Sequence, residues 1–494
     1  MSSAKEKPTQ GQASLGRKAA HGALSTMGGQ IVRLIIQFVG IVALARLLSP
    51  HDYGLIAMVM AIVGVGDLLR DFGLSAAAIQ AKSLSSAQRD NLFWINTLIG
   101  FVLMVAVYAA ASPLASFYGE PLLEKITQAL SITFLLGGLS TQFRAHLNRE
   151  FRMARLSVIN ILAQFVGLIA GITAAYMGSG YWALVIQQLV QASVMLVLLA
   201  FSARFIPAMP RRDVDMGNFL SFGWNLITTQ VIVYFSRNMN SIVIGSRFGA
   251  EVLGFYDRAF QLLMLPLNQI NAPATTVALP VLSRLQDDRE KYSAFIIRGQ
   301  AVLVHLVVAI FAYACAQAGL LIPLVLGMKW AGSASLFQIL AIAGVFQAAS
   351  YATYWVFLSK GLMRSNFLYT IISRVFLLGM ILLGLNWGVY GVAVAYSVGL
   401  ALLWPAGLWW VGRDSDAPVL AMFGNGLRAI IGYSVCGCMS YMSSWLLRDS
   451  SVYVRGGVGL LSMAFAFCVV CMAWPAFRRD VIAIASTRSL LGSR

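Results

Sequence analysis

Charge is scarce in this chain: Asp, Glu, Lys and Arg together make up 11% of its 494 residues, and only 19 are acids. Catalytic punctuation is scarce too. No Walker A run is present, so direct drive by ATP is not expected. There is no GxSxG, no HExxH and no histidine cluster, the four histidines (His21, His51, His146, His305) being scattered. No connection is long enough for an external catalytic domain, and the pair Asp287 and Asp288 reads as a solvated charge run. The five cysteines (Cys315, Cys436, Cys438, Cys468, Cys471) lie in apolar stretches without a neighbouring His or acid, so they are expected to pack and to hold no metal.

What remains is apolar. Hydrophobic residues make up 59% of the chain and the mean hydropathy is +0.76. A spanning helix needs about 20 mostly apolar residues, and such segments recur about fourteen times. The expected fold is therefore an all-α polytopic membrane protein with about 14 transmembrane helices. A leader (1–22) precedes a first set of six helices (23–205), a basic, proline-containing linker (206–218), a second set of six (219–411), and a final pair with a tail (412–494). The first span is too long for a cleaved signal peptide and should act as an anchor.

The net charge of +17 is unevenly placed. With the N-terminus inside, alternate loops carry Lys82 and Arg89; Arg144 to Arg155; Arg211 and Arg212; Arg284 to Lys291; Lys360 and Arg364; and Arg413, while the opposite loops are poor in bases. By the positive-inside rule both termini are expected in the cytoplasm. Basic loops beside anionic lipid account for the charge without nucleic acid.

Three weak matches in the same order point to an internal repeat at an offset slightly above 200 residues. ALARLLSPHDYGLIA pairs with GSRFGAEVLGFYDRA, LNREFRMAR with LSKGLMRSN, and GYWALV with GVYGVAV. Six helices per copy make the repeats parallel, with a substrate path between two lobes. Pro266, Pro273 and Pro280 predict kinks in the eighth helix.

Arginines inside spans cost roughly 2.5 to 3.5 kcal/mol each when facing lipid, so most need water or a partner. Arg33 stands near mid-depth of the first helix and Arg237 in the equivalent place of the seventh. Each either faces a cationic cavity or snorkels. Arg258 and Arg374 are further intramembrane bases, Gln30 and Asn240 polar neighbours, and Arg428 is expected to anchor near the inner headgroups. Asp67, Arg70 and Asp71 share one face as an ion-pair staple, gate or coupling relay. Asp257 beside Arg258 is their counterpart, best suited to a gate or clamp.

The first hairpin, with Arg33 and ARLLSPHDYGLIAMVMAIVGVGDLLRDFGLSAAAIQ, the LNREFRMAR loop and the NMNSIVIGSRFGAEVLGFYDRA run together resemble the bacterial polysaccharide transporter family. That family is the Wzx-type flippase branch of the multidrug/oligosaccharidyl-lipid/polysaccharide exporter superfamily, and the likeness is greatest to colanic-acid-type exporters. The resemblance implies a non-enzymatic transporter of the bacterial inner membrane. It would move undecaprenyl-pyrophosphate-linked oligosaccharide by alternating access, with Arg33 and Arg237 against the pyrophosphate. A polysaccharide polymerase and a chain-length regulator are the implied partners. Many relatives have NxDSxxIG where this chain has NMNSIVIG, so Asn240 replaces an acid; no cofactor is implied, and coupling to a proton or sodium gradient rests on analogy. The alternatives are a cation-coupled multidrug antiporter, which should present acids in its cavity, and a polymerase or ligase, which needs a large external loop.

Overall fold

Among the described residues every regular element is a helix. The computed structural model describes the backbone of residues 10–71, 84–211 and 216–491, and the side chains of residues 28, 30–66, 69, 84–211, 216, 234 and 238–484. In chain order the helices are α1 (Gln10–Leu47), α2 (Pro50–Asp71), α3 (Ser86–Ala109), α4 (Ala111–Tyr118), α5 (Leu122–Arg149), α6 (Met153–Tyr176), α7 (Trp182–Ala203) and α8 (Gly217–Arg284). There follow α9 (Arg289–Ala316), α10 (Ala318–Leu326), α11 (Ala331–Ser359), α12 (Met363–Gly384), α13 (Gly388–Asp414), α14 (Val419–Leu446), α15 (Val452–Ala473) and α16 (Pro475–Leu491). Ten stretches among the described residues are long and apolar enough to cross a membrane.

Polar residues start the helices where the sequence leaves backbone N–H groups unpaired. Ser85 and Gln88 cap α3 reciprocally, the Gln88 N–H donating to Ser85 Oγ (3.1 Å) and the Ser85 N–H to Gln88 Oε1 (3.0 Å). Ser49 and Asp52 do the same for α2, and Asp288 accepts from the Lys291 N–H to open α9.

Three expectations shift. The first helix begins at Gln10, not near residue 23, so helix extends into the polar leader. The apolar stretch 295–326, which reads from the sequence as one span, breaks at Gln317, whose buried amide donates to the Ser440 carbonyl and hydroxyl, both at 2.9 Å, and so ties the break to α14. The prolines of α8 do not interrupt it: within 217–284 the non-helical residue is Gly249, with φ 82° and ψ 177°. A side chain there would be strained, so glycine is the cheap elbow.

The chain forms two compact units, Met1–Gly254 and Phe255–Arg494. Their boundary falls inside α8, just beyond that elbow. In the first unit, α3, α5, α6 and α7 share a core of Phe93, Phe143, Leu147, Leu156, Ile159 and Leu199. The described part of the expected linker is pinned to α3: Trp94 Nε1 donates to the Ala208 carbonyl (2.8 Å), and Asn91 exchanges two hydrogen bonds with the Arg211 backbone. In the second unit, α9 packs between α11 and α14, α13 lies along α11, and α12 leans on α13.

Candidate functional site

Burial separates the sequence-selected arginines. Arg33 and Gln30 are exposed on α1, on a stretch where Ile31, Val32 and Ile35 are exposed as well. Arg258 is buried, and its guanidinium meets the adjacent Asp257 carboxylate at 3.2 Å. Asn240 is buried in the first limb of α8. Asp67, Arg70, Asp71 and Arg237 have side chains outside the described residues.

Arg428 departs from its expected anchoring role. It holds Asp480 of α16 bidentately, Nε to Oδ2 at 2.6 Å and Nη2 to Oδ1 at 3.1 Å, so its charge is matched within the protein.

Among the described residues, Arg374 is a sequence-selected base that lines a cleft. This cleft of about 160 Å³ lies between α11 and α12 and is floored by α13. Its wall includes Ser350, Thr353 and Tyr354 of α11, Asn366, Thr370, Ser373 and Arg374 of α12, and Trp404 of α13. Residues 366, 370, 373 and 374 recur at helical spacing, so α12 turns one polar stripe toward the cleft while Phe367, Ile372 and Val375 stay exposed on its other side. Arg374 lies eleven residues beyond Met363, about 16 Å along the helix at 1.5 Å per residue, and hence near the middle of α12. The spaced hydroxyls of SYATYW and YTIISR are the sequence signal for this cleft. Thr353 and Trp404 escape notice in the sequence because, singly, a Thr and a Trp inside an apolar run look like packing.

At one end of the same unit Lys360 joins three loops. Its Nζ donates to the Gln286 carbonyl (2.7 Å), pairs with Asp416 (2.9 Å) and sits 4.6 Å from the centre of the Tyr292 ring. The hydrogen bond from Lys360 holds the Asp416 carboxyl below its ordinary range.

Comparison with known proteins adds a lineage to this geometry. The chain is 25% identical over 402 residues to the lipopolysaccharide biosynthesis protein WzxC of Escherichia coli (79% of each chain). It is 27% identical over 301 residues to the teichuronic acid biosynthesis protein TuaB of Bacillus subtilis (60% of this chain, 61% of that one). The succinoglycan biosynthesis transport protein ExoT of Rhizobium meliloti is 24% identical over 313 residues (62% of each). Among solved structures the lipid II flippase MurJ in an inward closed conformation superposes with a TM-score of 0.68 at 13% identity, over 94% of this chain and 100% of that one. An inward-facing multidrug resistance MATE transporter gives 0.63 at 15% identity, over 79% and 95%. At such identities the superpositions speak for the fold alone. The family described as "Polysaccharide biosynthesis protein" matches residues 43–335, more than half of the sequence, and the chain belongs to that family.

Proposed function

We propose that this protein is a flippase that carries a polyprenyl-pyrophosphate-linked oligosaccharide across the bacterial inner membrane for polysaccharide biosynthesis. The observation that carries the reading is the Arg374 cleft: a positive, hydroxyl-lined recess that runs from the loop end of α12 to Arg374 in the middle of that helix, in a chain of a polysaccharide biosynthesis family. A recess of that sign suits an anionic, sugar-bearing cargo and repels the organic cations of a multidrug antiporter. The role of ExoT in succinoglycan transport and the fold shared with the lipid II flippase support the same class of activity.

In this reading the chain crosses the membrane fourteen times. The ten apolar stretches are joined by α2, by the two limbs of α8, and by the division of Met363–Asp414 into α12 and α13. The two sets of six helices are parallel repeats that alternate access, both termini are cytoplasmic, and Arg33 with Arg237 engages the pyrophosphate. A proton or sodium gradient supplies the drive, and a polymerase with its chain-length regulator receives the product.

Reconstituted into vesicles, the protein should move a fluorescent polyprenyl-pyrophosphate-linked sugar between leaflets faster than protein-free vesicles do. Equal rates would overturn the assignment. In cells, Arg33→Ala should abolish surface polysaccharide while the protein still inserts.

A further inference from the structure

The wall of the Arg374 cleft holds both spent and unspent hydrogen-bond donors. Ser350 and Ser373 have spent their hydroxyl protons on the carbonyls of Phe346 (2.8 Å) and Thr370 (2.9 Å), and Tyr369 donates to Leu403 (2.9 Å). Thr353 and Trp404 have not. They are 4% and 3% exposed, and neither Thr353 Oγ1 nor Trp404 Nε1 has a hydrogen-bond partner among the described residues.

An indole N–H donates only, and so does a guanidinium. A buried donor without an acceptor costs free energy, which packing alone does not return. Trp404 is nevertheless held firmly in place, stacked on Phe423 with ring centres 4.9 Å apart and backed by Gly426. Among the described residues no carboxylate lines the cleft. The cleft therefore asks for an acceptor-rich anion.

Size and depth narrow the choice. Ligand pockets for drug-sized molecules run from about 300 Å³ upward, so about 160 Å³ admits a single compact group and not an oligosaccharide. The cleft runs from Asn366, about 4 Å into α12, to Arg374, about 16 Å along it, so an anion held by Arg374 would sit at its deep end, farther in than the headgroup of a bulk phospholipid.

We propose that the cleft between α11, α12 and α13 is a transit site for the phosphate of an isoprenyl-phosphate carrier, with Arg374 supplying the charge and Thr353 and Trp404 the neutral donors. This rests on the flippase reading for the identity of the carrier, and it places a phosphate subsite in the second unit, apart from Arg33.

The test uses the purified full-length protein in nanodiscs with farnesyl phosphate as the probe and farnesol as its neutral counterpart. Farnesyl phosphate should bind at least tenfold more tightly than farnesol, since a hydrogen-bonded charge pair is worth about that factor or more. Arg374→Gln should weaken the phosphate about 10- to 100-fold, and Trp404→Phe and Thr353→Val about 3- to 30-fold each, with farnesol unaffected. Thr353→Ser, which keeps the hydroxyl, should bind as the parent does. Equal binding of farnesol and farnesyl phosphate, or unchanged phosphate affinity in Arg374→Gln and Trp404→Phe, overturns the proposal. So does equal competition by phosphatidylglycerol, which would make the cleft an ordinary headgroup site. The farnesol comparison and the competition need no variant, so they decide the matter even where a variant misfolds. Failure of vesicle flipping with phosphate discrimination preserved would sink the flippase reading, and the reverse result would sink this site.

Discussion

At the scale of single residues, two kinds of contact are poised to fail when altered. Arg428 and Asp480 are partly exposed, at 30% and 18% of their side chains, so their pairing is discounted from the 3 to 5 kcal/mol of a fully buried pair. Arg428→Ala should cost about 1 to 2 kcal/mol, seen as a lower melting temperature of the detergent-purified protein. The exchange Arg428→Asp with Asp480→Arg should recover part of that loss, because the attraction survives reversal. Gly54 and Gly254 fail differently. A Cβ on Gly54 would strike the Ala250 carbonyl, and one on Gly254 would strike the Pro50 carbonyl. The contacts are reciprocal, Gly54 to Ala250 and Gly254 to Pro50, so the two corners lie backbone against backbone. Valine at either glycine should destabilise by about 1 to 3 kcal/mol, the usual range for overpacking. A chain that tolerated Gly54→Val and Gly254→Val without a shift in melting temperature would contradict the backbone contact.

At the scale of elements, hydrophobic length tells where most helices lie, because a span must satisfy its own backbone and little else decides it. What it cannot tell is whether a proline breaks a helix: Pro266, Pro273 and Pro280 leave α8 helical, and its elbow is Gly249, between the stretches 219–248 and 253–282 that read from the sequence as separate spans, where the left-handed φ removes the chain from helix outright. Proline in a membrane helix loses one hydrogen bond that its surroundings can replace. Loop pairings are likewise hidden, since nothing in the local pattern links residue 360 to 286 and 416. The Lys360 strap carries a pH dependence whose sign follows from Asp416. Its carboxyl titrates lower folded than unfolded, so the strap contributes fully above the unfolded value of about 3.9 and is lost as pH falls through the lower folded value. Asp416 is 45% exposed, so the contribution is below about 1 kcal/mol. The melting temperature of Lys360→Met should lie below that of the parent near pH 6, and the two should converge toward pH 3.

At the scale of the whole chain, the distribution of bases makes a claim about sidedness that the loop contacts let one sharpen. Alternation along the sequence puts the loops around residues 84–89, 146–155 and 204–212 on one side of the membrane. In the first unit these loops meet: the Arg89 guanidinium lies 4.0 Å from the centre of the Phe205 ring, and His146 packs edge-on to the same ring. The loops assigned to the other side meet as well, His51 approaching Glu120 at 3.8 Å and Gly180 lying against Asp52. In the second unit Lys360 gathers 286 and 416, again loops of one assigned side, while Tyr313 donates to the Gly456 carbonyl (3.1 Å) at the other. Each unit thus has a base-rich end and a base-poor end, and anionic lipid with the membrane potential should hold the base-rich ends inside. In a chain cleared of its five cysteines, single cysteines at Gly361 and Ser85 should resist a membrane-impermeant thiol reagent applied to intact cells and react once the cells are opened. Cysteines at Gly119 and Met328 should react in both. Labelling of Gly361→Cys from outside would invert the topology, and with it the direction in which the Arg374 cleft is approached by cargo made in the cytoplasm.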